Sequence, residues 1–293
     1  MAEPGNSAIP STRPHREIGE SAPGKLVGSP LSAQVEEIAR DGTSRLVERE
    51  WVPEAPVALE FNGLSYAVMM ASPADLEDFA TGFALTEGLA KAPGEILDVA
   101  IAEVEEGWIV RTRLAGLGIE KLTERVRARV AESSCGLCGI ESLASLAKPL
   151  AQVPPHRALE PAAIFAALSA LPDHQVLTRR TRAAHAAAFC DTDGTILVAR
   201  EDVGRHNAMD KLVGATRRSG RSLEAGFILS SARCSYEIVE KAVRAGATTL
   251  ATISLPTTLA LQRARAAGLS LWVLARHDSV LNATAPGKDS PAP

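Results

Sequence analysis

The sequence predicts an α/β protein, with a smaller N-terminal α+β part followed by a C-terminal unit of parallel strands. Three observations predict it. From Phe227 to Arg276, strand-like and helical runs follow one another in the order β-α-β-α-β, which implies parallel strands joined by right-handed crossovers. Asn62-Gly63 and Asp193-Gly194 each separate two apolar runs, a short-range hairpin signal. Between these regions, Ser72-Pro73 and Gly88 punctuate a stretch with apolar residues on one helical face.

The elements follow in chain order. Residues 1–43 are rich in Pro, Gly and Ser without an apolar period, and read as a disordered tail. A strand-like piece precedes Pro53 and Pro56. Val57 to Met70 reads as a hairpin turning at Asn62-Gly63. Ser72 is a candidate N-cap, Pro73 suits the first turn, and Leu76, Phe79, Ala80 and Phe83 share one face before Gly88. Residues 94–113 read as further strand, and Lys121 to Ala131 as a helix leading into SSCGLCG. Ala186–Asp191 and Thr195–Arg200 form the second hairpin. Strands at Phe227–Ser231, Thr249–Ser254 and Ser270–Arg276 alternate with helices at Tyr236–Ala245 and Thr258–Ala267. A polar tail, 284–293, closes the sequence.

Composition narrows the function classes. The 293 residues are 46% hydrophobic, enough for one large or two small domains. The net charge of -4 gives no general nucleic-acid surface, and 4% aromatics leave little to stack bases on. No run approaches the apolar length of a membrane span, and the N-terminus has no continuous apolar core of a secretory signal. Four cysteines in so long a chain do not make a disulfide scaffold. A cytoplasmic protein with reduced thiols is therefore expected.

Ser133-Ser134-Cys135-Gly136-Leu137-Cys138-Gly139 is the most informative segment. Two cysteines so spaced can bind a metal, form a reversible disulfide or pass a sulfur atom, and each use needs a thiolate. Gly136 and Gly139 allow backbone conformations that other residues resist, as a loop needs. A structural zinc site usually takes two such pairs, whereas Cys190 and Cys234 stand alone. A catalytic zinc with His185 or His206 stays open. A zinc deaminase would show H-x-E ahead of P-C-x-x-C, but His185 follows the pair, Ala187 replaces the Glu and Ser134 replaces the Pro. A thioredoxin-like pair would sit at a strand-to-helix junction, and this one follows a charged helix. Two unremarkable loop cysteines are the bland alternative.

A second constellation runs from Arg200 to Lys211, REDVGRHNAMDK, directly after the apolar run TILVA. Gly204 lets a ligand approach the backbone. Arg205, His206, Asn207 and Lys211 supply donors beside a helix start, where an anion is favoured. A salt-bridged, capped turn explains the same residues. His185 precedes a strand of small residues, and a lone histidine there is more often a structural, hydrogen-bonded residue than a ligand. In open parallel sheets ligands bind beyond the carboxyl ends of the strands. Those ends are Ser230–Ser235, Ser254–Thr258 and Ala275–Asp278. Capping by Ser235 and Thr257 accounts for the hydroxyls, but not for Arg233 and Arg276 at two of the three ends. A phosphate or pyrophosphate suits them. There is no P-loop and no G-x-G-x-x-G for a conventionally bound ATP or NAD.

Taken together, these segments resemble the formate dehydrogenase accessory sulfurtransferases, the FdhD family, over roughly residues 45–283. The likeness rests on EAPVALEFNGLSYAVMMASPADLEDFATGFALTEGL, on SSCGLCG, on HAAAFCDTDGTILVAREDVGRHNAMDKLVG, and on SYEIVEKAVRAGATTLATISLPTTLALQRARAAGLSLWVLAR. It implies a cytidine-deaminase-like three-layer α/β/α domain without the zinc chemistry or any permanent metal. The expected divisions are 44–132 for the N-terminal subdomain, 133–140 for the cysteine loop and 141–283 for the cofactor-binding domain. It also implies a homodimer that takes sulfur from a cysteine desulfurase. The sulfur would pass to the molybdenum bis-molybdopterin guanine dinucleotide cofactor of a formate dehydrogenase catalytic subunit. Cys135 maps to the persulfide carrier, with Cys138 assisting or sharing the sulfur. Leu274, Ala275, Arg276, His277, Asp278 and Ser279 map to the cofactor-binding strand end, beside His185, Arg205, His206, Arg233 and Thr257. A cofactor-insertion chaperone without sulfur transfer is the alternative.

The sequence departs from the family pattern at three places. Arg180-Thr181-Arg182-Ala183-Ala184 precedes His185 where the family has Thr-Gly-Gly. Ser231-Ala232-Arg233 replaces Ser-Gly-Arg, and Ser254-Leu255-Pro256-Thr257-Thr258 replaces Ser-Ala-Pro-Thr-Ser. Each lost glycine narrows the backbone conformations available around a ligand.

Overall fold

A computed structural model describes residues 31–118, 120, 122–124 and 148–285. Two sheets carry the fold. The first is four-stranded, in the order β4-β3-β6-β5, from β3 (Ala55–Phe61), β4 (Leu64–Ala71), β5 (Ile96–Val104) and β6 (Gly107–Leu114). Here β3 and β4 are antiparallel around Asn62 (φ 48°) and Gly63 (φ 80°), the left-handed pair that a tight two-residue hairpin turn requires. The expected strand over 94–113 is the β5–β6 hairpin.

Helix α1 (Leu76–Thr86) follows β4. Ser72 is not its N-cap, contrary to expectation. The cap position is Asp75, and Ser72 instead clamps β4 to the C-terminal half of the chain. Its N–H donates to Asp202 Oδ2 (3.0 Å), and its hydroxyl accepts from the Val203 N–H (3.1 Å). Gly88, at φ 67°, ends the helix as its position suggested.

The second sheet has six strands, in the order β12-β11-β10-β9-β7-β8. They are β7 (His185–Cys190), β8 (Ile196–Asp202), β9 (Phe227–Ser230), β10 (Thr249–Thr252), β11 (Ser270–Val273) and β12 (Leu281–Asn282). Strands β9, β10 and β11 are parallel, as the β-α-β-α-β order predicted, while β7, β8 and β12 add antiparallel edges. Side chains alternate between the two faces. Ala187, Phe189, Ile228, Leu250, Leu271 and Val273 enter the larger core. That core also holds α1, α4 (Arg205–Arg218), α5 (Tyr236–Arg244) and α6 (Thr258–Ala267). Ala186, Ala188, Cys190, Phe227, Leu229, Ala251 and Trp272 face α2 (Pro161–His174) on the other side. A short α3 (Val176–Thr181) leads into β7.

Two features join the halves. Helices α1 and α4 cross where a Cβ on Gly82 would come within 1.7 Å of the Asp210 carbonyl oxygen, and one on Gly214 within 1.9 Å of that of Asp78. Only glycine permits this approach. Asp78 in turn pairs with Arg200 (2.7 Å) and Arg218 (2.5 Å). Residues 148–153 run along α6 in its own direction: Arg263 Nη1 donates to the Lys148 carbonyl (2.6 Å), and the Val153 N–H to that of Ala267 (2.9 Å).

The expectation of a tail over 1–43 needs correction in its described part. Leu31–Ile38 (β1) pairs antiparallel with Ser44–Trp51 (β2), held by Glu37 to Arg45 and Arg49 and tied to α3 by Glu50–Arg180 (2.7 Å). A hairpin with one partly covered face carries too weak an alternation to stand out from the polar stretch before it. Of the helix expected over Lys121–Ala131, Leu122–Glu124 is helical and the remainder lies outside the described residues. No helix among the described residues is long and apolar enough to cross a membrane.

Candidate functional site

The topology brings most of the sequence-predicted site residues to one edge of the second sheet. Because β7 is antiparallel to β9, its first residue, His185, lies at the carboxyl end of the parallel strands. His185 pairs across the ladder with Asp202, the last residue of β8. The Ala186 N–H donates to Ser231 Oγ (2.8 Å) and the Ser231 N–H to the Ala186 carbonyl (2.9 Å). The loop after β9 is therefore stitched to the start of β7. The Thr257 N–H donates to the Cys234 carbonyl (3.0 Å), and the Leu274 N–H to that of Ser254 (3.3 Å). Three loops, after β9, β10 and β11, thus lie side by side at the starts of α5 and α6.

Part of the REDVGRHNAMDK segment is spent on structure. Asp202 and Lys211 are fully buried and pair at 2.7 Å. The Asp202 carboxylate also accepts from the Gly204 N–H (2.7 Å) and Asn207 Nδ2 (3.0 Å), and Lys211 Nζ donates to the Ser72 carbonyl (2.8 Å). Glu201 accepts from the N–H groups of Leu177 and Thr178 at the start of α3, and Arg200 is held by Asp78. Asn207 and Lys211 are therefore fold anchors and not the ligand donors that the sequence suggested. Four donor types beside one glycine do not reveal which of them point inward.

What remains is basic. Arg205 opens α4, Arg233 is exposed in the loop after β9, and the half-buried His185 is close enough to feel the charge of both. The pKa of His185 is lowered, first by burial and then by the positive charges of Arg205 and Arg233. Among the described residues neither arginine has a carboxylate partner. Among the described residues, Arg205 Nε, His206 Nε2 and Ser235 Oγ are buried without a hydrogen-bond partner. Ser235 holds the cap position of α5 without capping it, whereas the Thr257 hydroxyl accepts from the Ala260 N–H (3.2 Å) in a capping role. Guanidinium groups unpaired among the described residues, with unspent donors at two helix starts, suit an anion such as a phosphate.

The segment Leu274–Ser279 is the turn between β11 and β12. Leu274 is held at φ 51°, which a leucine rarely adopts, and the Arg276 N–H closes the turn on the Ser279 carbonyl (2.8 Å). Ala275 is buried. Arg276, His277, Asp278 and Ser279 are exposed at the same sheet edge. The Arg276 guanidinium folds back on the carbonyls of Ile253 and Ala275.

Cys190 and Cys234 are buried free thiols whose pKa values burial pushes up to about 12 and about 11. Neither is a thiolate at neutral pH, so neither is fit for nucleophilic sulfur chemistry. Cys135 and Cys138 lie outside the described residues. Among the described residues no cluster of three or more His, Cys, Asp or Glu side chains could hold a metal ion.

His206, in the first turn of α4, faces Glu237, in the first turn of α5, at 3.0 Å. Sequence reasoning missed Glu237. Its only signal was the spacing of four from Lys241, which places both on one helix face.

The sequence profile of the FdhD/NarQ family matches residues 52–286. A protein of Variovorax paradoxus (strain S110) named "Sulfur carrier protein FdhD" is 44% identical over 239 residues, covering 81% of this chain and 86% of its own. One of the same name from Chromobacterium violaceum is 45% identical over 248 residues, covering 84% and 92%. A crystal structure from Desulfotalea psychrophila, assigned provisionally as a formate dehydrogenase accessory protein, superposes with a TM-score of 0.70. It is 21% identical, over 88% of this chain and 97% of that one, and supports the mixed α/β fold alone.

Proposed function

The chain belongs to the FdhD/NarQ family, and from that premise we propose that it is a sulfur carrier required for formate dehydrogenase activity. Cys135 accepts the outer sulfur of a cysteine desulfurase's persulfide. Its thiolate attacks that sulfur, one S–S bond forms as the other breaks, and the desulfurase cysteine leaves as a thiolate. Delivery needs sulfide, two electrons below persulfide sulfur. Cys138, with CxxC spacing, attacks the inner sulfur of the Cys135 persulfide and expels the outer one as hydrosulfide. A Cys135–Cys138 disulfide remains, and a small-molecule thiol reductant restores it. The acceptor is the molybdenum bis-molybdopterin guanine dinucleotide cofactor, held as a substrate before it enters the dehydrogenase catalytic subunit.

The observation that carries the cofactor half of this reading is the basic sheet edge. Arg205 and Arg233, free of carboxylate partners among the described residues, and the unspent donors of Arg205 and Ser235 fit a pyrophosphate. His185, His206, Thr257 and the exposed turn Leu274–Ser279 border the same place. The raised thiol pKa values of Cys190 and Cys234 leave Cys135 and Cys138 for the sulfur half. The proposal extends to a cytidine-deaminase-like ancestry for the sheet with helices on both faces, to a homodimer, and to a cytoplasmic setting that keeps the thiols reduced.

Intact-mass measurement after incubation with desulfurase and cysteine tests it. One added sulfur is expected on the wild type and none on Cys135→Ala, which should also abolish formate dehydrogenase activity in cells. An unmodified wild type sinks the sulfur-carrier reading. It would favour a second one, a cofactor-insertion chaperone without sulfur transfer, which the anion-suited edge supports on its own.

A further inference from the structure

Helices α4 and α5 face each other through two rungs of opposite polarity. In the upper rung the base is on α4 and the acid on α5: His206 Nε2 lies 3.0 Å from Glu237 Oε2, an ion-pair contact whose angles fall outside those of a hydrogen bond. In the lower rung, one turn further, the acid is on α4 and the base on α5: Lys241 Nζ donates to both Asp210 oxygens, at 2.9 and 3.0 Å. The alternation fixes register. A slip of one helical turn would set His206 beside Lys241, or Glu237 beside Asp210.

The rungs differ in what else holds them. The lower one is locked to α1: Thr86 Oγ1 donates to Asp210 (2.6 Å) and Glu87 pairs with Lys241 (3.2 Å). Asp210 and Lys241 are almost wholly buried. The upper rung is wetter, with the Glu237 side chain 43% exposed. It borders a cavity of about 340 Å³ lined in part by Met69, Phe83, Glu87 and Arg244, so the first turns have room to part. Immediately before the upper rung stand Arg205 on α4 and, at the head of α5, Arg233 and Ser235.

We propose that Glu237 is a positioning residue for the anion site: through His206 it sets the first turn of α4 against that of α5, and so sets the approach of Arg205 to Arg233. The inference rests on the reading of that sheet edge as a pyrophosphate site. Glu237 itself touches no ligand. Loss of its carboxylate lets the two helix starts drift while the lower rung keeps the fold.

The test is titration of the purified full-length chain with guanosine diphosphate and with inorganic pyrophosphate. Glu237→Ala is expected to weaken both by roughly tenfold, within the range over which contacting residues couple, with the melting temperature nearly unchanged. Glu237→Gln, which keeps an oxygen in place, is expected to restore most of the binding. In a His206→Ala background, Glu237→Ala is expected to add nothing, because its effect travels through His206. Unchanged binding by Glu237→Ala, or a full additional loss in the double variant, overturns the inference and leaves the site reading standing. A wild type that binds neither probe defeats the site reading first, and this inference with it.

Discussion

Lys211 shows how a single residue's chemistry depends on where its side chain ends. In the sequence it is one more donor beside Gly204. In the fold it is a buried countercharge, paired with Asp202 and capped by the Ser72 carbonyl. Lys211→Met is therefore expected to leave a buried carboxylate unpaired and to destabilise the protein by about 3–5 kcal/mol, read as a fall in the urea midpoint. An unchanged midpoint would contradict the structural role given to this pair. The cysteines divide in a similar way. Cys190 and Cys234, with thiols pushed to about 12 and about 11, should resist alkylation at pH 8. A Cys135→Ala/Cys138→Ala variant should take up iodoacetamide only after unfolding, as peptide mass mapping would show; rapid native labelling would refute that. The CxxC spacing singles out Cys135 and Cys138 in the sequence. The inertness of the other two thiols was not legible there, because it comes from burial by distant residues.

Local rules made most elements legible. The turns Asn62-Gly63 and Asp193-Gly194 and the β-α-β-α-β series needed only neighbouring residues to be read, and each lies where expected. Capping was legible only in part, since a hydroxyl at the right position need not cap. Thr257 does so and Ser235 does not. Thr257→Ala should cost about 1 kcal/mol, whereas Ser235→Ala should barely move the melting temperature. Equal losses in the two would overturn the distinction. The crossing of α1 and α4 was invisible in the sequence, because Gly82 and Gly214 are matched across 132 residues of chain. Gly214→Ala drives a methyl group into the Asp78 carbonyl. The expected cost is about 1–3 kcal/mol by chemical denaturation, although alanine is the better helix former.

At the scale of the whole molecule, one core runs from the first sheet through α1 into the second, so both halves brace the basic edge. That edge could be foreseen because carboxyl ends of parallel strands converge by topology alone. The antiparallel β7, which delivers His185 to the same edge, could not. The path of residues 148–153 has a consequence of another kind. Arg263 fastens Lys148 about 8 Å along α6 from the helix start that borders the site. Cys135 precedes Lys148 by thirteen residues, so its Cα stays within about 45 Å of that anchor whatever route the intervening chain takes. A sulfur carried there would meet a bound cofactor as an intramolecular partner, at an effective concentration that the length of chain determines and dilution leaves unchanged. Lengthening the stretch between Cys138 and Lys148 with Gly-Ser repeats should then slow single-turnover delivery while loading by the desulfurase stays constant.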